Sequence, residues 1–217
     1  LGVIRIILEN KLHLNLRKLF AKILPELWSV GSVDQVSQDI LDFFVDRFRV
    51  FLYDRGGQHD LISAVLSSQD EVDLIKMSMK LNALTVFLDS AEGKDLLIGF
   101  KRANNILRIE QGKDNKVYND PDKVDKTLFE ETSEVQLFNK FTDISPQIRK
   151  ALENSNFEKA LDILASMREK IDDFFMEVTV NAGAEKLRQN RLYLLGIICS
   201  IFYEIADFSK IEGGKFD

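Results

Sequence analysis

The sequence predicts an all-α protein, built as a helical bundle. Only 3 of its 217 residues are proline, where average usage would give roughly 11, so few segments need a rigid break. Apolar residues recur at three- and four-residue spacing along most of the chain, which is the period of a helix with one buried face. With 45% hydrophobic residues, the chain can bury the core of one large domain or two small ones.

The first half of the chain begins with apolar spacing that suits one or two helices over residues 1–28. Pro25 and Gly31 are predicted to end this unit. Ser32 followed by Gln35 resembles a capping box and opens the next helix, which a Gly-Gly pair stops. A short apolar stretch follows, and a second capping-box pattern then precedes a helix over about 72–88. The residues of that second pattern are Ser68 and Glu71.

The second half is predicted to begin with a helix that starts after Asp89 or Ser90 and ends near Ile109. A polar loop then extends to Pro121. Four further helices are expected at about 125–142, 146–153, 156–169 and 184–208. Ser155 with Glu158 forms the clearest capping box and marks the start of the third of these.

The sequence has few side chains of the types that bind metals or form disulfides, and this excludes several classes of function. Cys199 is the only cysteine, which excludes an internal disulfide and favours a reducing compartment. Two histidines cannot supply a His-based metal cluster, and no Gly-rich phosphate loop is present. The His59-Asp60 pair resembles the dyad of metal-dependent phosphohydrolases, which leaves a hydrolase as a hypothesis, but the other histidines of such a site are missing. We therefore predict no metal site.

Charge and hydropathy limit the possible partners. A net charge of -6 argues against a nucleic-acid binder with a uniformly basic surface, but it does not exclude local basic patches. Much of the acidity is local to residues 119–145. The apolar run at 192–202 is shorter than the ~20 residues that span a bilayer, and residues 1–12 lack the features of a signal peptide. The chain also lacks an initiator Met, so we expect it to be a fragment of a longer protein.

Residues 99–108 carry a polar stripe that is a candidate nucleic-acid contact. At 100° per residue, one side of this helix is apolar and the other is polar. The apolar side holds Leu96, Phe100, Ala103 and Leu107, and the polar side holds Lys101, Asn104, Asn105 and Arg108. Amides can pair with base edges, and Lys and Arg suit phosphates. An ordinary solvent-exposed face is the alternative interpretation.

A second basic cluster lies at the start of the last helix, after Asn181, where the helix is expected to begin. Its cations are Lys186, Arg188 and Arg191. They oppose the positive end of the helix dipole, and such a helix start would suit a phosphate. The alternative is that Glu185 and other acidic residues neutralise them. Cys199 lies among core positions of the same helix, and we interpret it as a packing residue.

Four segments, taken together, resemble the C-terminal part of the bacterial glycyl-tRNA synthetase β subunit. They are DRFRVFLYDRGGQHDLISAVLSS (46–68), GKDLLIGFKRANNILRIE (93–110), AEKLRQNRLYLLG (184–196) and EIADFSKIEG (204–213). The most specific pieces are FKRANNIL, RQNRLYLL and ADFSK. The resemblance extends across essentially the whole chain. From about Leu88 onward, the sequence is similar to the DALR-type anticodon-binding bundle of arginyl- and cysteinyl-tRNA synthetases.

This resemblance implies a division into a helical segment at 1–87 and a DALR-like bundle at 88–217. It also implies a cytoplasmic enzyme in which an α subunit, with ATP and Mg, forms glycyl-adenylate and charges the tRNA for glycine. The β subunit would supply most of the tRNA recognition, so this chain should hold no catalytic residue and no cofactor. The residues carried over as tRNA contacts are Lys101, Arg102, Asn104, Asn105, Arg108, Arg188, Asn190 and Arg191. Asn104 and Asn190 could instead cap or bridge helices.

Two hypotheses of function remain besides the hydrolase. The first is recognition of the tRNA anticodon arm by the two basic stretches. The second is a helical interaction module that docks subunits or domains without touching tRNA. The cation-rich segment at 1–24 and the apolar run at 1–8 are candidates for that docking surface, although a solvated helix face is the simpler interpretation of the cations.

Overall fold

The periodic apolar residues form helices in a computed structural model that describes residues 1–27, 32–67 and 71–213. Within these ranges no residue is in a β-strand, so the predicted all-α class is confirmed. Contacts divide the chain into two compact units, Leu1–Asn82 and Ala83–Asp217, whereas the sequence analysis predicts a division between residues 87 and 88. Gly31 and Ser68, predicted as a helix end and a cap, lie outside the described residues.

The first unit is made of short and long helices around an aliphatic and aromatic core. Its helices are α1 (Gly2–Glu9), α2 (Leu16–Leu27), α3 (Val33–Tyr53), α4 (His59–Val65) and the first part of α5 (Leu74–Asp89). Leu41, Phe48 and Ile62 are fully buried in this core. The apolar spacing that predicts these helices therefore also identifies the faces that pack.

Side-chain caps fix where two of these helices begin. The Ser32 hydroxyl accepts a hydrogen bond from the backbone N–H of Gln35 at 3.3 Å, as the predicted capping box requires. At the start of α5, the Asp73 carboxylate accepts from the N–H groups of Ile75 and Lys76 at 2.9 and 3.0 Å. These bonds satisfy N–H groups that have no partner inside the helix.

The second unit is a bundle in which α10 is the central helix. Its helices are α6 (Ala91–Asp114), α7 (Thr132–Glu153), α8 (Phe157–Ala165), α9 (Arg168–Glu177) and α10 (Glu185–Ile205), with 3-10 turns at Pro121–Lys123, Lys126–Leu128 and Phe208–Lys210. The Ser90 hydroxyl caps α6 by accepting from the Gly93 N–H at 3.0 Å. Asn115 caps the end of α6 in a left-handed conformation, so the helix extends five residues beyond its predicted end near Ile109.

Pro146 does not separate two helices, which corrects the prediction of a break between 142 and 146. Instead α7 runs through it without interruption. Proline removes one backbone hydrogen bond of the helix. Side chains on either side bond nearby carbonyl groups: the Ser145 hydroxyl donates to Phe141 O at 2.6 Å, and the Gln147 amide donates to Asp143 O at 3.0 Å. The predicted start at 125 was also wrong, because 3-10 turns and a loop precede Thr132.

Residues 156–177 form two helices where one was predicted over 156–169. Ser155 is not the cap, because it has a left-handed backbone with φ of 55°. Asn156 caps α8 by accepting from the Lys159 N–H at 3.1 Å. The helix α9 was not predicted at all, although Ile171 and Phe174 lie on its buried face. The three-residue spacing of Ile171 and Phe174 is the sequence pattern that indicates α9.

Aromatic packing between α6 and α10 fixes the outward face of α6. The Phe100 ring centroid lies 4.7 Å from that of Phe202 and 5.7 Å from that of Phe208. All three side chains are buried. Leu96, Ala103 and Leu107 are buried on the same side of α6, as predicted. The opposite side of α6 therefore carries the polar residues.

Candidate functional site

The polar side of α6 forms an accessible surface, which we call the α6 stripe. Its residues are Lys101, Arg102, Asn104, Asn105 and Arg108. Arg102, Asn105 and Arg108 are exposed, whereas Lys101 and Asn104 are half-buried. Helical spacing places all five on one side because four apolar residues of α6 are held in the core. The sequence prediction of the stripe's orientation is thus confirmed, while its binding role stays a prediction.

Contacts to neighbouring elements hold three of the five stripe side chains. Lys101 Nζ donates to the carbonyl oxygen of Gly213. The Arg102 guanidinium lies 4.3 Å from the centroid of the Phe175 ring, in a cation–π contact. The Tyr203 hydroxyl donates to Asn104 Oδ1 at 2.9 Å. Each contact restricts the side chain, so less rotamer entropy remains to be lost on binding a ligand.

A fourth contact lies within the stripe itself. Arg108 Nη2 donates to Asn105 Oδ1 at 3.2 Å. This bond uses one acceptor site of the Asn105 oxygen. It does not use the two N–H donors of the Asn105 amide. The exposed guanidinium of Arg108 has further N–H donors beyond the one used here. The pair can therefore donate hydrogen bonds in two directions from the surface of α6.

Two grooves run along the sides of the stripe. One has a volume of about 550 Å³ and lies between α6 and α9, where Arg102, Asn105 and Phe175 line it. The other has a volume of about 650 Å³ and lies between α6, α10 and the loop after α6, where Asn104 and Arg108 line it. Each groove thus has an amide and a guanidinium from the stripe along one wall.

Exposed apolar side chains line the grooves opposite the stripe. Met176 is 85% exposed in the groove against α9, and Val117 and Tyr203 are 64% and 43% exposed in the groove against α10. Apolar and aromatic surfaces beside cations and amides suit unstacked bases, which stack on such surfaces and pair through their edges. Met176 was not identified in the sequence because the helix that carries it was not predicted.

Arg188, one of the cations predicted at the start of α10, lies in an ion-pair network that joins α10 to α6. Arg188 Nη2 lies 2.6 Å from Glu110 Oε2 and 2.8 Å from Asp114 Oδ2. Hydrogen bonds from Arg188 and Lys113 hold the pKa of Glu110 below its ordinary value, although burial opposes them. The Tyr118 hydroxyl also donates to Asp114, and burial together with this bond raises the pKa of Tyr118 to about 12.

Arg191, on the same helix, makes a buried pair with α7. Arg191 Nε lies 2.9 Å from Glu134 Oε1, and its Nη1 donates to the carbonyl oxygen of Thr179 at 3.0 Å. Glu134 is fully buried. Burial acts to raise the pKa of Glu134, but the bonds from Arg191 and from the N–H groups of Glu131 and Glu130 outweigh it and hold the pKa below its ordinary value.

Asn190 holds the loop that precedes α7. Its Oδ1 accepts from the Asp125 N–H at 2.7 Å, and its Nδ2 donates to the Asp125 carbonyl oxygen at 2.9 Å. Asn190 is 2% exposed, and Arg191 is 5% exposed. The structure therefore places Arg188, Asn190 and Arg191 in contacts that join helices and loops, not on an open surface. Only Lys186 of the basic cluster is an exposed cation.

The depressed pKa of Glu110 predicts how this network depends on pH. A carboxyl group with a lowered pKa in the folded state stabilises the fold above its unfolded-state pKa of about 4.3, and this contribution is lost as pH falls toward the folded value. We expect Glu110→Gln to lower the free energy of unfolding at pH 7. Between pH 5 and pH 3, this variant should then lose less stability than the unmodified chain does. Urea unfolding at several pH values measures both. Equal acid-induced losses in the two proteins would contradict this assignment.

The other chemical candidates have local structural contacts. The His59 and Tyr53 ring centroids are 3.9 Å apart in a stacked pair, and Asp60 accepts a hydrogen bond from the Leu61 N–H at 2.8 Å. Cys199 is buried, as its assignment to packing predicts, and burial raises the pKa of its thiol.

Within the described ranges, no cluster of three His, Cys, Asp or Glu residues could hold a metal ion. No helix in that part of the chain is long and apolar enough to cross a membrane.

Comparison with known families matches the two parts of the chain separately. Residues 96–212 match the model of the DALR anticodon binding domain. Residues 1–67 match the model of the glycyl-tRNA synthetase beta subunit. The first match begins within α6 and extends past the end of α10, so it includes the whole α6 stripe. The resemblance found in the sequence is confirmed.

Curated relatives support the same similarity over nearly the whole chain. The chain is 38% identical to the glycine–tRNA ligase beta subunit of Ruegeria sp. (strain TM1040) over 213 residues, which are 98% of this chain and 30% of that protein. It is also 38% identical over 213 residues to that of Rhodospirillum centenum (98% and 30%) and 36% identical to that of Phenylobacterium zucineum (98% and 29%). The chain spans less than a third of the length of these relatives.

Proposed function

Because the chain belongs to the DALR anticodon-binding domain family through residues 96–212, we propose that its α6 stripe binds the anticodon arm of a tRNA. The observation that carries this proposal is the stripe itself: exposed guanidinium and amide groups lie between two grooves with apolar walls. The cations would neutralise backbone phosphates, and the amides would pair with base edges. The grooves are the places where unstacked loop bases would lie.

The proposed contacts are restricted to the α6 stripe. Asn190 and Arg191 are buried, and Arg188 is engaged by two carboxylates. A phosphate would have to displace Glu110 and Asp114 to reach the Arg188 guanidinium, and the freed carboxylates would repel it. In this proposal the start of α10 supports the position of α6 and does not touch RNA.

The similarity to glycine–tRNA ligase beta subunits extends the proposal to the whole enzyme. The chain would act in the cytoplasm as the tRNA-recognising end of a β subunit, and its substrate would be the tRNA for glycine. An α subunit, with ATP and Mg, would carry out adenylate formation and charging. This chain would supply positioning and specificity and no bond chemistry.

A second function, docking of the α subunit or of other parts of the β subunit, is favoured by one feature of the first unit. Leu1, which precedes α1, is 56% exposed, and Val3 and Ile6 on α1 are 55% and 56% exposed, whereas Ile4 and Ile7 on the other side of the helix are buried. Contiguous apolar patches exposed on a protein surface often mark interaction sites, and this face of α1 is therefore a candidate docking surface. Docking through α1 and tRNA binding through α6 use different units, and both can hold.

The salt dependence of tRNA affinity tests the role of the α6 stripe. We expect Arg102→Gln plus Arg108→Gln to weaken binding of the tRNA for glycine, because two charges that face phosphate are lost. Each lost phosphate contact should flatten the log–log salt slope by roughly 0.7–0.9. Filter binding or fluorescence anisotropy over a salt series measures both quantities.

The control is Lys150→Gln plus Lys159→Gln, which removes two exposed cations from α7 and α8. We expect this variant to keep nearly the slope of the unmodified chain. If the two double variants change affinity and slope equally, the stripe does not make a specific phosphate contact, and the proposed function fails.

A further inference from the structure

The first unit contains a cavity that the proposed tRNA contact does not use. It has a volume of about 560 Å³ and is lined from three parts of the chain: the segment between α1 and α2, the C-terminal end of α3, and α5. Sites for small ligands usually have volumes of about 300–1,000 Å³. The cavity is therefore large enough for a ligand of nucleotide size.

The ionisable side chains that line this cavity are all basic. Lys11, His13 and Arg55 line it, and none of the described residues along its wall is Asp or Glu. The His13 ring lies 3.4 Å from the buried Asp73 carboxylate, so this residue already has a partner. In the described part of the chain, Lys11 and Arg55 have no acidic partner within ion-pair distance. These two exposed cations can therefore bind an anion.

Lys11 is held toward this site by an unusual backbone conformation. Its φ is 50°, in the left-handed region that ordinary side chains rarely adopt. The turn is closed by hydrogen bonds from the Lys11 N–H to Leu8 O and from the Leu12 N–H to Ile7 O, at 3.2 and 2.9 Å. Glycine or asparagine would fit this turn with less strain, so lysine occupies the position at a conformational cost.

Arg55 offers a flat surface beside the apolar part of the cavity. Its guanidinium carbon lies 4.2 Å from the centroid of the Phe51 ring. Arg55 is exposed, so a second planar ring can stack on the guanidinium face opposite Phe51. Phe51, Leu52 and Leu81 supply apolar walls, and Ser78 and Asn82 supply polar groups. The cavity thus combines an anion site with a place for a planar, partly polar ring.

We propose that the cavity lined by Lys11, Arg55 and Phe51 binds a nucleoside phosphate, with the phosphate on the two cations and the base against the apolar wall and the Arg55 guanidinium. A phosphate pairs strongly with Lys and Arg, and Arg can donate two hydrogen bonds to it. Either a free nucleotide or one nucleotide of an RNA chain has this chemistry. The site is separate from the α6 stripe and does not rest on tRNA binding there.

Calorimetric titration of the 217-residue chain with AMP tests the proposal. We expect saturable micromolar to millimolar binding, with adenosine at least about tenfold weaker because it lacks the phosphate. Lys11→Asn plus Arg55→Gln should weaken AMP binding by about tenfold or more. Asparagine at position 11 tolerates the left-handed backbone, so this variant is expected to fold. Circular dichroism verifies the folding.

A matched control locates the binding. Lys18→Gln plus Lys22→Gln removes two exposed cations of α2 that do not line the cavity. This variant should bind AMP as the unmodified chain does. Equal weakening by the α2 variant, or adenosine binding as tightly as AMP, would overturn the proposal.

A short single-stranded oligoribonucleotide distinguishes the two sources of the ligand. Saturable binding of AMP supports a free nucleotide. If AMP fails to bind at millimolar concentration but the oligoribonucleotide binds, and the Lys11→Asn/Arg55→Gln variant weakens it by about tenfold, the site accepts a nucleotide of an RNA chain. If neither ligand binds, or if this variant binds both unchanged, the cavity is not a nucleotide site.

Discussion

Replacement of Arg191 by methionine is expected to lower the free energy of unfolding by about 3–5 kcal/mol. Arg191 is the charged partner of Glu134, which is fully buried. Without Arg191, the Glu134 carboxylate keeps its bonds from the N–H groups of Glu130 and Glu131, but its charge stays buried without a cation. Methionine has similar length and fills the space without replacing the charge.

Urea unfolding at pH 7 measures this effect. Lys186→Met is the control, because Lys186 is an exposed cation in the first turns of the same helix, and a change within about 0.5 kcal/mol is expected. The double variant Glu134→Gln plus Arg191→Met should recover part of the loss, since the buried charge is then removed. A loss below about 1 kcal/mol for Arg191→Met would show that the pair does not hold α10 against α7.

Replacement of Gly196 by alanine is expected to destabilise the second unit by at least about 2 kcal/mol. A Cβ at position 196 would lie 1.3 Å from the carbonyl oxygen of Tyr118 and 2.5 Å from its carbonyl carbon. The obstacle is backbone, so no side-chain rotation can relieve the clash. The loop that carries Tyr118, which is buried, would have to move away from α10.

Gly112→Ala provides the matched control because it is the same substitution in a helix with free space around it. Nothing lies within 4 Å of a Cβ placed there. Alanine costs less backbone entropy than glycine in a helix, so this variant should gain about 0.5–1 kcal/mol. Opposite signs in urea or thermal unfolding are the expected result. Two changes of the same sign and size would contradict the close approach of α10 to the 118 loop.

The sequence predicts the fold best where one helix face is continuously apolar. The core face of α6, with Leu96, Phe100 and Leu107, follows from spacing alone, and so does the outward direction of the α6 stripe. The start of a helix is predicted correctly where a serine side chain caps it, as Ser90 caps α6. Such local signals succeed because the interactions that decide them lie within three or four residues.

Predictions fail where distant contacts outweigh a local rule. Pro146 predicts a break, but packing of α7 against α8, α9 and α10 keeps the helix continuous. The ionic partners of Arg188 and Arg191, Glu110 and Glu134, are 78 and 57 residues away along the chain. No local pattern gives these pairings, because they depend on how the helices pack.

One signal in the sequence could have shown that Arg191 is buried. Leu187, Arg191 and Leu194 are separated by four and three residues, so the arginine lies on the core face of α10. Glu134 stands three residues before the buried Leu137 on α7, which is the matching acidic position on a core face. A cation and an acid that each interrupt an apolar helix face are candidates for a buried pair.

In the proposed complex, the α6 stripe, and not the start of α10, contacts the anticodon arm of tRNA. Photo-crosslinking tests it most directly, with p-benzoylphenylalanine placed at the exposed position of Asn105 in one protein and of Lys186 in another. We predict a crosslink from position 105 to nucleotides of the anticodon arm, and little or none from position 186. Crosslinks from position 186 alone, or from position 105 to another part of the tRNA, would contradict it.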